Sequence, residues 1–109
     1  MAVRAEAVVL NVKDARRASA FWTRALDYEP SKEEPDFLLP HDGNGVRVHL
    51  DTGDRTHLDL WLDRDTSDLD TEVERLVGLG ATRVEWTYPD DADFVVLADT
   101  EGNLFCVIA

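Results

Sequence analysis

Three histidines, one cysteine and a surplus of carboxylates are the groups from which this 109-residue chain could build chemistry. Between Thr56 and Leu62, His57, Asp59 and Trp61 alternate with Leu58, Leu60 and Leu62, and alternate side chains of a strand share a face. An imidazole, a carboxylate and an indole therefore look one way, and the leucines look toward the helices. An imidazole titrates near neutrality and can act as a general acid or base, or orient a ligand. An indole gives a flat wall for stacking. Residues 45–51 divide in the same way, with Arg47, His49 and Asp51 opposite Val46, Val48 and Leu50. A guanidinium offers paired donors to a carboxylate or enolate; its competing use is an ion pair with Asp59 or Asp51. The last strand separates Phe105 and Val107 from Leu104, Cys106 and Ile108. Cys106 reads as an inert thiol unless a base activates it, and His57, from the opposite wall, is the base the pattern supplies.

These strands need a frame. Residues 6–12 are β-branched and apolar, a buried-strand signal. Asp14 offers an N-cap, and Ala18, Phe21, Trp22 and Ala25 fall on one helical face. Pro30, Pro35, Pro40 and the turn Asp42-Gly43-Asn44-Gly45 then isolate short strands near 36–40 and 45–51, with an extra strand around 28–33 in doubt. The pattern restarts with a strand over 56–62. Ser67 or Asp68 caps a helix bearing Leu69, Val73, Leu76 and Val77, and Gly80 stands where a helix ends in a left-handed residue. Strands follow near 82–87, 93–98 and 103–109, and Trp86 and Tyr88 fall in an exposed turn before Pro89. Strand, helix and three strands thus occur twice, and Gly43-Asn44 is matched by Gly102-Asn103.

Composition bounds the function. Twenty-three acidic against eleven basic residues give a net charge of -12, which disfavours nucleic acid and anionic membranes as partners, since both need local positive charge. No apolar run approaches a membrane span or secretory signal, and one cysteine makes no internal disulfide, so a cytoplasmic location is expected. The acidic residues Asp63, Asp65, Asp68 and Asp70 lack the spacing of a calcium loop and suit a helix N-terminus.

The strand-helix segment from Ala7 to Tyr28, with Phe21-Trp22 and Ala25-Leu26, combines with His57-Leu-Asp-Leu and with Asp99-Thr-Glu-Gly-Asn-Leu-Phe-Cys. This combination resembles the glyoxalase, bleomycin-resistance and extradiol-dioxygenase superfamily, the vicinal oxygen chelate proteins, over nearly the whole chain. The resemblance implies an α+β fold in which two βαβββ modules, about 1–53 and 54–109 of a single domain, form a curled mixed sheet around a cleft. Where relatives often have Leu-Gly after the first helix, this chain has Leu26-Asp27, and Asp tolerates the left-handed turn. Metal-dependent members draw ligands from the first and last strand of each module, positions that correspond to Ala7, Arg47, His57 and Cys106. Alanine has no donor and arginine is a permanent cation, so no metal is expected at that set and no cofactor is assigned. His49 and Asp59, one step away, make a rearranged site the alternative.

The resulting expectation is a protein that binds a small organic molecule without a metal, like drug-sequestering relatives, using Arg47, His49, His57, Asp59, Trp61 and Cys106. The alternative is a lyase or isomerase with His57 as the base and Arg47 stabilising an enolate. Relatives often pair, which makes a homodimer a further expectation.

Overall fold

The computed structural model describes residues 2–109 as an α+β fold. It divides into two compact units, one spanning Glu6–Thr56 and the other combining the chain up to Ala5 with His57–Ala109. In the first unit, β1 (Val3–Asn11, from Glu6 onward) is followed by α1 (Ala15–Leu26), β2 (Tyr28–Pro30), β3 (Phe37–Pro40) and β4 (Arg47–Asp51). The strand order is β2-β3-β4-β1, with β1 and β4 parallel and the other pairs antiparallel. The segment left in doubt is the short edge strand β2.

Local chemistry sets the limits of α1. The Asp14 carboxylate accepts the Arg17 amide at 3.1 Å, satisfying a donor that the helix leaves orphaned. The far end closes on Asp27 in the left-handed region (φ 55, ψ 46), a setting that Asp tolerates better than most residues. Ala18 and Trp22 pack on Leu38, Val48 and Leu50 with Leu10, Val12 and Tyr28. Phe21, expected on that buried face, is 61% exposed. It sits at the margin of the stripe and meets Trp22 edge-on, with ring centroids 5.0 Å apart.

The second unit holds β5 (His57–Leu62), α2 (Leu69–Gly78), β6 (Thr82–Arg83), β7 (Phe94–Ala98) and β8 (Leu104–Ile108). Its strand order is β5-β8-β7-β6, with β5 and β8 parallel. Asp68 caps α2 by accepting the Thr71 amide at 2.8 Å, and this bond holds its carboxyl below the ordinary value. Gly80 follows the helix at φ +123, a backbone setting open essentially to glycine. The core is Val73 of α2 against Leu97 and Val107, joined by Val3, Leu76 and Phe105.

Two expectations are corrected here. The β5 leucines are not part of the buried cluster under α2, which is built on β7 and β8: Leu58 is 43% exposed, and Leu60 and Leu62 are half-buried. The strand expected over 82–87 is only Thr82–Arg83. Beyond it the chain leaves the ladder, and the Tyr88 hydroxyl accepts the Val96 amide at 2.8 Å while its ring meets Phe94, so Tyr88 props β7.

The turn into β8 is organised by Asp99, whose carboxylate accepts the amides of Glu101 and Asn103 and the side-chain amide of Asn103. The Asn103 side-chain bond, then the backbone amides, hold the Asp99 carboxyl below its ordinary 3.8. A depressed folded-state pKa stabilises fully above the unfolded value and is lost as pH falls through the folded one. Asp99→Ala is therefore expected to lower the melting temperature at neutral pH and to converge with wild type in strong acid. A constant difference between the two across that range would refute the assignment.

Candidate functional site

In the second unit His57 and Asp59 stand two residues apart on β5, so the pleat turns both side chains to one face. The parallel ladder pairs Asp59 directly with Cys106 of β8. The result is a tight group: the donor atoms of His57, Asp59 and Cys106 all lie within 4.8 Å of one another. His57 Nε2 is 3.2 Å from Asp59 Oδ1, and the two side chains are only 8% and 16% exposed. A carboxylate at one ring nitrogen fixes the orientation of an imidazole. The relation between His57 and Cys106 differs from the sequence reading. They occupy neighbouring strands of one sheet, because the last strand of the unit inserts beside its first.

The first unit brings Arg47 and His49 into a second group. Arg47 Nε lies 3.7 Å from Glu6 Oε1, a partner that sequence reasoning missed in favour of Asp51 or Asp59. Glu6 immediately precedes Ala7, the residue opposite Arg47 in the β1–β4 ladder. The guanidinium carbon stands 5.4 Å from the centroid of the Phe37 ring. Phe37 in turn stacks on His49, with centroids 4.0 Å apart and planes 7° from parallel. Phe37 was also missed; the β3–β4 register that pairs it with His49 is the signal that finds it. Trp61, 38% exposed, closes the line of side chains on its face of β5. It helps to line a hollow of about 370 Å³ together with Ala2, Arg4, Asp63 and Arg64.

The residues at the positions where metal-dependent relatives hold an ion do not fit that four-ligand set. Ala7 is a buried methyl group, and its ladder partner Arg47 is a cation engaged by Glu6. Neither can donate an electron pair. His57 and Cys106 remain, and Asp59 stands between them as a third donor from outside the family positions. Among the described residues no helix is long and apolar enough to cross a membrane.

Comparison with known proteins supplies the lineage. A family model for the glyoxalase-like domain matches residues 7–108. No curated protein matches the chain. Among solved structures, one described as an NAD-dependent benzaldehyde dehydrogenase from Legionella pneumophila aligns with a TM-score of 0.64 and 16% identity, covering 93% of this chain and 95% of that one. At this identity the similarity is one of fold. A member of the glyoxalase/bleomycin resistance protein/dioxygenase superfamily from Sphaerobacter thermophilus is 19% identical over 96% of this chain and 95% of its own, with a TM-score of 0.38.

Proposed function

Because the chain belongs to the glyoxalase-like domain family, we propose that it binds a small organic molecule by direct side-chain contacts, in the manner of sequestering or resistance proteins, without the four-ligand metal centre of its metal-dependent relatives. The observation that carries this reading is Arg47 at a family ligand position, with Phe37 beneath its guanidinium and His49 stacked on Phe37. A fixed cation beside stacked rings suits a flat ligand with a carboxylate or enolate oxygen, because the guanidinium fork matches a planar oxyanion and the rings match its apolar plane. His57, Asp59, Trp61 and Cys106 are the second unit's own group of candidate contacts. The test is a melting-temperature screen over planar organic acids, since a ligand that binds only the native state raises stability. Arg47→Met is expected to weaken the best ligand by roughly tenfold or more, the value of one charge-assisted hydrogen bond. Equal affinity in wild type and variant, or no shift with any acid, defeats the reading.

The 3.2 Å contact between His57 and Asp59 favours a second reading, a lyase or isomerase that removes a proton next to a carbonyl. Here His57 is the base and Asp59 holds its ring. His57→Ala separates the two: an enzyme loses turnover and keeps binding, whereas a binder changes in affinity alone.

A further inference from the structure

We infer that the second unit binds one zinc-type divalent cation on His57, Asp59 and Cys106 alone, taking nothing from Ala7 or Arg47. This goes beyond the organic-ligand reading and does not depend on it.

Three donors of different chemistry, an imidazole nitrogen, a carboxylate oxygen and a sulfur, lie within 4.8 Å of one another. Ligand atoms on a four-coordinate zinc at ordinary bond lengths stand roughly 3.3–3.8 Å apart. The His57–Asp59 separation of 3.2 Å is close to that spacing, and no pair in the set exceeds 4.8 Å. The backbone already supplies the arrangement: His57 and Asp59 are on one face of β5, and Cys106 is the direct ladder partner of Asp59.

The place is also sheltered: the His57 and Asp59 side chains are largely shielded from water. Donor softness then selects the ion. Magnesium and calcium favour all-oxygen shells, whereas a nitrogen, oxygen and sulfur set suits zinc. Three protein donors leave a fourth position for water or a ligand oxygen, the arrangement of reactive zinc sites and not of closed structural ones.

The experiment is a titration of tag-free, metal-free protein with Co²⁺ as a spectroscopic substitute. Cys106 is the chain's one cysteine, so a thiolate-to-cobalt charge-transfer band reports on that side chain alone. One equivalent is expected to produce the band together with the visible absorption of tetrahedral cobalt, and stoichiometric Zn²⁺, but not excess Mg²⁺, should displace it. Cys106→Ser should abolish the band, while His57→Gln and Asp59→Asn weaken Co²⁺ binding by roughly tenfold or more. Arg47→Met should leave it unchanged. A second measurement uses no variant: one equivalent of Zn²⁺ should protect Cys106 of the native wild type from iodoacetamide. No band and no protection in the wild type, or undiminished binding by Asp59→Asn, overturns the inference. Whether a planar acid stabilises the metal-free protein bears on the organic-ligand reading alone, so the two can fail separately.

Discussion

Leu97→Ala is expected to reduce the free energy of unfolding by about 3–4 kcal/mol, within the range for a fully buried leucine whose removal leaves a cavity. Leu97 is fully buried and packs with Val73 and Val107, so it joins α2 to β7 and β8. It is also the ladder partner of Phe105, the neighbour of Cys106. Domains of this size are stable by only about 5–15 kcal/mol, so one truncation removes a large share. A urea melt with an unchanged slope measures the loss as a shift of the midpoint. The informative comparison is Leu58→Ala. Alternation points Leu58 toward the helices, but Leu58 is exposed and should cost under about 1 kcal/mol. Similar losses at both positions would mean that the β5 leucines are covered after all.

The second large effect concerns Glu72, a carboxylate only 2% exposed, between the apolar positions Leu69, Val73 and Leu76 of α2. Its partner is the Arg75 guanidinium one helical turn on. Taking the Glu72 carboxylate out of water offsets much of what its attraction to the partly exposed Arg75 returns, so the pair adds little net stability while its disruption is expensive. Arg75→Ala is expected to cost about 3 kcal/mol by leaving a bare buried carboxylate. The double replacement Glu72→Met with Arg75→Met should cost less than the single one, because it removes the stranded charge as well. Calorimetric melts of wild type, Arg75→Ala and the double variant decide this. A double variant less stable than Arg75→Ala would show that the pair itself is the stabilising element.

These contrasts mark how far the sequence could be read. The caps Asp14 and Asp68, the left-handed Asp27 and the turn glycine Gly80 were legible because each acts within a few residues of itself. The two-fold βαβββ pattern was legible because periodicity is a property of the strand or helix alone. The helix face failed at Phe21 and the strand face at Leu58, since burial depends on how far a neighbouring element reaches. The candidate site was half legible for the same reason. Alternation put His57, Asp59 and Trp61 on one face of their strand, and Arg47 with His49 on one face of theirs. The order of strands, which seats Cys106 beside Asp59, is written in no local pattern. Nor are the contacts of Arg47 with Glu6 and of His49 with Phe37, which depend on pairings between distant strands.

The parallel pairing of β5 with β8 joins the first strand of its unit to the last. Closing so long a loop costs chain entropy before any contact repays it, which makes this pairing a slow event during folding. His57 and Asp59 travel on one side of the closure and Cys106 on the other. A chain in which β7 and β8 have paired but β5 has not keeps the sulfur apart from its companions.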